Sequence, residues 1–232
     1  MTVIWDYYAT GDRSSAKVYV ANQTSEPHQN LKVSLAFYNL DGTRKFFKEV
    51  NAFKIGAQTS AEAMTVGRIK DLDPTYFVRC ELRDQNNNLL SENVYWASAT
   101  DDDLGDPKKD EQFKTDLANW ADMSALNTMP KASVDVSSNL KWKNENGAAT
   151  ITLRNNSDHV AFFVRAEVTK GMDGEEILPI TYDDNYVTVF PHEQRIITAN
   201  FERSLLHGQP PHLRVEGFNT GSKVSPFEIA TQ

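Results

Sequence analysis

Apolar and polar residues alternate with period two in short blocks along most of the chain. Val18 and Val20, then Leu31, Val33, Leu35 and Phe37, sit between polar neighbours, the mark of strands with one buried face. Asp41-Gly42 follows as a hairpin turn signal, with Phe46, Phe47 and Val50 on the return. Tyr76, Val78, Cys80 and Leu82 form a further apolar face opposite Phe77, Arg79 and Glu81. Asn86-Asn87-Asn88 then turns the chain into a strand from Leu89 to Trp96. The style returns in Ile151/Leu153, Phe162/Val164/Ala166/Val168, Val187/Val189, Ile196/Thr198 and Leu213/Val215. About seven short strands fall on each side of the middle, with turn signals about every 8–14 residues, and strands do not alternate with long helices. The pattern predicts an all-β protein of two tandem immunoglobulin-like β-sandwich domains.

Residues 101–131 interrupt the alternation. They carry eight acidic residues against four basic ones, half of the chain's net charge of −8, and open with Asp-Asp-Asp-Leu-Gly-Asp-Pro. The stretch reads as a linker with a short helix over Phe113–Ala125, because Phe113, Leu117, Trp120 and Ala121 fall at helical spacing and Pro130 closes the run. The expected division is a sandwich over 1–100, an acidic linker over 101–131 and a second sandwich over 132–232. The two flanks also match in register: Ala16–Thr24, holding Asn22-Gln-Thr24, aligns with Ala149–Ser157, holding Asn155-Asn-Ser157, and Asp41-Gly42 aligns with Asp173-Gly174. A second likeness, Phe77–Leu82 with Phe163–Val168, is out of order within its half and is set down to chance.

Composition narrows the class further. With 232 residues, 40% hydrophobic and 24% charged, the chain is neither disordered nor fibrous. A single cysteine, Cys80, excludes an internal disulfide and a cysteine-based zinc site. No apolar run is long enough to span a membrane, and the start lacks the basic and apolar regions of a signal peptide. The acidic balance argues against nucleic acid or an anionic membrane as partner.

No catalytic, cofactor or metal residue is predicted. Asp101–Asp103 with Asp106 is acidic enough for calcium but lacks the Asp-x-Asp-x-Asp-Gly spacing and the closing glutamate. Asp183-Asp184-Asn185 is expected to be a turn whose side chains bond the backbone. His28, His159, His192, His207 and His212 show no helical ligand pair, Cys80 faces the core by alternation, and no nucleophile elbow or phosphate loop occurs. Asn22-Gln-Thr24 and Asn155-Asn-Ser157 have the form of glycosylation sequons. The tryptophans Trp5, Trp96, Trp120 and Trp142 are the candidate glycan-contact residues, with core or interface packing as the competing role.

Several ordered segments resemble the C-terminal Ig-like domains of glycoside hydrolase family 2 enzymes, in the branch of exo-β-D-glucosaminidases, β-mannosidases and mannosylglycoprotein endo-β-mannosidases. They are Tyr38–Gly42, Pro74–Arg79 with Glu81-Leu82, Asn93–Trp96, and Trp120–Asn127 (Trp-Ala-Asp-Met-Ser-Ala-Leu-Asn). The second half adds Ala161–Arg165, Asp173–Glu175, Ile177–Pro179 and Asp184–Tyr186 leading to Phe190-Pro191. The family shows Pro-Gly-Glu where this chain has Pro191-His192-Glu193. The resemblance implies a larger polypeptide, periplasmic or extracellular, whose (β/α)8 barrel carries two catalytic glutamates about 5–5.5 Å apart for retaining hydrolysis. On that reading the present chain is a non-catalytic accessory region whose partner is the barrel, and it does not hydrolyse a glycoside by itself. The alternative is an autonomous carbohydrate-binding module using exposed aromatics.

Overall fold

The computed structural model describes residues 1–6, 15–100, 102–103, 105 and 117–229. The chain forms two compact units, Met1–Thr128 and Met129–Gln232.

In the first unit, β2 (Ser15–Asn22) alternates buried and half-buried positions along its length, which commits one face to the interior. It lies between β1 (Thr2–Asp6) and β5 (Thr59–Gly67) in one antiparallel sheet. The facing sheet has the order β4 (Arg44–Ile55), β3 (His28–Asn39), β6 (Thr75–Arg83), β7 (Leu89–Ser98). Val18, Val20, Val33, Leu35, Val78, Cys80 and Leu82 are completely or almost completely buried between the two. The hairpin expected at Asp41-Gly42 joins β3 to β4: Gly42 has φ +94°, and its N–H donates to the Asn39 carbonyl at 3.0 Å.

The second unit repeats the plan. One sheet runs β11 (Thr181–Tyr182), β13 (Gln194–Glu202), β9 (Asn146–Asn155), β8 (Val134–Lys143), β16 (Glu228–Ile229). The other runs β12 (Val187–Val189), β10 (Ala161–Lys170), β14 (Pro211–Glu216), β15 (Lys223–Pro226). Leu140, Ile151, Leu153, Val164, Val168, Ile197 and Leu213 are fully buried between them. At the turn after β10, a Cβ on Gly174 would fall 1.7 Å from the Lys170 carbonyl oxygen, so only glycine lets the backbone close. The all-β tandem sandwich read from the alternation is the fold observed.

The registered match between the halves has a shared physical basis. Asn22 ends β2 and Asn155 ends β9, and both are buried, with 1% and 0% of their surface exposed. The Asn22 amide donates to the Glu26 and Gly56 carbonyls at 2.8 Å each, and its oxygen accepts from the Thr24 N–H and hydroxyl. The Asn155 amide donates to the His159 carbonyl at 2.7 Å and the Val189 carbonyl at 2.8 Å, while its oxygen accepts from the Ser157 N–H and hydroxyl. Each asparagine therefore ties together two connections that pass from one sheet to the other. A third buried asparagine, Asn219, donates to the Pro130 and Val160 carbonyls and accepts from the Phe162 N–H.

The helix expected over Phe113–Ala125 is corrected. Residues 113–116 lie outside the described residues, and 117–123 are not helical. There the Asp103 N–H donates to the Asn119 carbonyl at 2.9 Å, the Ala118 N–H donates to the Asp103 carbonyl at 2.7 Å, and Asp102 Oδ1 accepts from the Ala121 N–H. These bridges hold the backbone extended. A 3-10 turn forms only at Ser124–Thr128, where Asp122 Oδ1 caps the Ser124 N–H at 2.8 Å. Helical side-chain spacing was outweighed by pairing of this segment with Asp102 and Asp103 and by the Asp122 cap.

Two outcomes follow. Asn155→Ala removes the amide donor to the buried Val189 carbonyl, one of two donors to the His159 carbonyl and the acceptor of the Ser157 N–H, and is expected to cost about 2–4 kcal/mol in equilibrium unfolding. Urea denaturation of the variant checks it, with Asn156→Ala at the exposed neighbouring position as the mild control. Burial also pushes the Cys80 thiol up to about 12. Its stabilising protonated form is complete below the unfolded thiol's ordinary value and is lost as pH rises toward the folded one. Ellman's reagent at pH 8 should modify Cys80 only at the rate of unfolding.

Candidate functional site

The four tryptophans divide into packed and exposed pairs. Trp5 is half-buried beside the first core, its ring edge-on to Phe37 at 6.0 Å and to Tyr95 at 5.6 Å. Trp142, on β8, packs edge-on to Phe201 at 5.6 Å, and the Arg203 guanidinium sits 4.0 Å above its ring. Both are structural rings. Trp96, on the edge strand β7, is 43% exposed, and Trp120, just after the Asp103–Asn119 bridge, is 65% exposed. Trp5, Trp96 and Trp120 belong to the first unit and Trp142 to the second.

The other sequence candidates act on the backbone. Asp102 and Asp103 accept from the Ala121 and Gly105 N–H groups, while Asp101 and Asp106 lie outside the described residues. Asp183 Oδ1 accepts from the Thr198 N–H at 2.7 Å, and Asp184 pairs with Arg195 at 2.9 Å. Asn185 does more. Its amide bonds both backbone groups of Ala166 at 2.9 Å, substituting for a ladder partner beside β10. Among the described residues no group of three or more His, Cys, Asp or Glu side chains converges as a metal site. No helix among them is long and apolar enough to cross a membrane. His192 meets Asp158 at 2.9 Å on the surface, and His28 meets the Thr24 hydroxyl at 3.0 Å.

Two features escaped the sequence reading. The first is a cavity of about 580 Å³ in the first unit, lined by Trp5, Phe37, Tyr76, Arg68, Lys70 and Asp71 among others. The second is an aromatic surface in the second unit. Phe163, Tyr186 and Phe218 are 38%, 46% and 49% exposed. The Phe163 and Tyr186 rings lie 5.0 Å apart, tilted by 48°. The buried Phe162 touches Phe163 at 5.5 Å and Phe218 at 5.8 Å. Phe162 turns inward with Val164 and Ala166 while Phe163 turns outward with Arg165, as neighbours along a strand do, and a β-bulge falls between Ala161 and Val164. Phe163 has φ +55° and Tyr186 φ +54°, a left-handed conformation that costs a bulky side chain about 1–3 kcal/mol.

An ion-pair network continues this surface along β10. Arg165 sits 5.6 Å from the Tyr186 ring and pairs with Glu167 at 2.5 Å and Glu176 at 2.7 Å. Arg214 meets Glu167 at 3.2 Å and donates to the Gly174 carbonyl at 3.0 Å. Burial works against the charge of Arg165, but the Glu167 and Glu176 carboxylates overcome it and hold its pKa above the ordinary arginine value. The one sequence signal for the surface was Phe163 itself, an aromatic residue on the outward set that Arg165 and Glu167 continue.

Comparison with known proteins agrees with this architecture. Residues 14–100 match the mannosidase Ig/CBM-like domain family, and residues 112–220 match the exo-beta-D-glucosaminidase Ig-fold domain family. The exo-beta-D-glucosaminidase of Amycolatopsis orientalis is 33% identical over 225 residues, which cover 95% of this chain and 21% of that protein. The exo-beta-D-glucosaminidase of Streptomyces avermitilis is 28% identical, covering 94% of this chain and 24% of its own length. The crystal structure of the Amycolatopsis orientalis exo-chitosanase CsxA superposes with a TM-score of 0.85 at 32% identity, over 90% of this chain and 25% of that one. The chain thus spans about a quarter or less of the relatives it matches.

Proposed function

We propose that this chain, which belongs to the tandem Ig-like domains of family 2 glycosidases, serves a β-glycosidase acting on β-glucosaminides or β-mannosides as its non-catalytic C-terminal accessory region. One observation carries the reading. Both domain families match in order, and the relatives align with nearly all of this chain but only 21–24% of themselves. On this reading sandwiches over 1–100 and 132–232 flank an acidic connector over 101–131. The partner is a (β/α)8 barrel that holds the acid/base and nucleophile glutamates of a retaining mechanism. The compartment is extracellular or periplasmic, as the family resemblance implies. The second unit's chemistry agrees where it is described: Asp183 accepts from the Thr198 N–H, and Glu167 and Glu176 are taken up by Arg165.

The exposure of Trp96 and Trp120 supports a second reading, a carbohydrate-binding module acting on its own. Trp5 and Trp142 contribute packing in either case.

Three measurements test the readings. Incubation of the purified chain with aryl β-glucosaminides and β-mannosides is expected to give no turnover above blank; release of the aryl group would overturn the non-catalytic reading. The reading frame upstream of Met1 is expected to encode a (β/α)8 pattern over several hundred codons, and a stop codon immediately before Met1 would defeat the accessory reading. For the module reading, calorimetric titration with a glucosamine hexamer is the check. Binding that drops at least tenfold in Trp96→Ala with Trp120→Ala would favour it.

A further inference from the structure

The geometry points to the exposed aromatic surface of the second unit, Phe163, Tyr186 and Phe218 beside Arg165, as the face that docks against the remainder of the glycosidase polypeptide. The inference rests on the accessory reading above. Three observations select the occupant. The composition is that of an interface centre, where phenylalanine, tyrosine and arginine are enriched and contribute most of the affinity. The rings do not form a flat platform: Phe163 is tilted 48° to Tyr186, and Phe218 is tilted 61° to the buried Phe162. A sugar ring stacks on flat aromatic faces, whereas tilted rings fit the knobs and hollows of a protein surface. The relatives, finally, carry three quarters or more of their length outside the aligned region.

The chemistry of the complementary face follows from the charges. Arg165 is already neutralised by Glu167 and Glu176 at 2.5 and 2.7 Å, so the partner need not bring a carboxylate. The matching surface is apolar and uncharged, with hollows sized for two phenyl rings and a phenol. The backbone conformation agrees. Phe163 and Tyr186 hold left-handed φ values that asparagine or glycine adopts more readily, so the side chains are kept there for something other than the stability of the unit itself.

Hydroxyl-radical footprinting of the 232-residue chain and of the polypeptide encoded by the whole reading frame tests the proposal. Oxidation of Phe163, Tyr186 and Phe218 is expected to be at least fivefold slower in the long polypeptide, while Phe47 in the first unit serves as an exposed reference. The double variant Phe163→Asn with Tyr186→Asn should leave the melting midpoint of the 232-residue chain unchanged or raised, and lower that of the long polypeptide. Equal oxidation of the three rings in both proteins overturns the docking surface. Protection of the rings in the 232-residue chain by added glucosamine hexamer assigns them to carbohydrate and overturns it as well. A reading frame without a barrel defeats the accessory reading and the docking surface together. A frame that holds the barrel with fully reactive rings defeats the docking surface alone.

Discussion

A β-sandwich must send its chain repeatedly from one sheet to the other, and at each passage the backbone leaves its ladder partners while still inside the protein. Buried N–H and carbonyl groups left unpaired there would cost more than the hydrophobic contacts nearby return. In both units one asparagine resolves this. Asn22 holds the β2–β3 connection through Glu26 and the β4–β5 connection through Gly56. Asn155 holds the β9–β10 connection through His159 and reaches Val189 at the end of β12, where the chain leaves for β13. Two donors and one acceptor on a short stem fit this task, and no apolar residue could do it. With the passages fixed, the alternating strands can close over Val18, Val20 and Leu35 in one unit and Ile151, Leu153 and Val164 in the other.

The outer sheet faces show a second recurring solution. Arg79 pairs with Glu92 at 2.6 Å and Glu81 at 3.3 Å, and Arg83 joins Glu81 at 2.6 Å. Arg165, Glu167, Glu176 and Arg214 form a comparable network on β10 and β14. Both come from an Arg-x-Glu step with its intervening residue facing the core. The likeness of Phe77–Leu82 to Phe163–Val168 is therefore no marker of equivalent strands. β6 pairs with β3 and β7, whereas β10 pairs with β12 and β14, so the likeness reports a shared way of dressing the outer face of a sheet. The side chains of Arg79, Glu92 and Glu167 are buried in these networks, so the role of the pairs is better described as fixing the arginine side chains than as raising stability.

Alternation made the strands legible, because a half-buried strand must repeat with period two. The Asp-Gly hairpin after β3, the core position of Cys80 and the turn role of Asp183–Asn185 could be read for the same local reason. The linker helix could not. Helical spacing of Leu117, Trp120 and Ala121 says where side chains would point if a helix formed, but not that Asp102, Asp103 and Asp122 would capture the backbone first. The exposed aromatic surface was hidden by the same limitation. Alternation turns Phe163 outward opposite Phe162, but it does not bring Tyr186 and Phe218 to the same surface, and Tyr186 lies there through a positive φ beside Asn185, which is itself bound to Ala166. Tryptophan, the residue type most suggestive of a sugar contact, proved to be divided between packing and exposure.

The asparagine clamps carry a consequence for how the chain is made. Asn22-Gln-Thr24 and Asn155-Asn-Ser157 have the tripeptide form that an oligosaccharyl transferase accepts, and that enzyme works on the nascent chain before tertiary structure forms. A sugar attached at Nδ2 would remove one of the two amide hydrogens that each clamp uses, and its bulk would have no place at sites with 1% and 0% exposure. The hydroxyl that makes each tripeptide a substrate is the one that closes the clamp. Glycan transfer and folding thus call on the same two nitrogen atoms, and this fold requires both to stay unmodified.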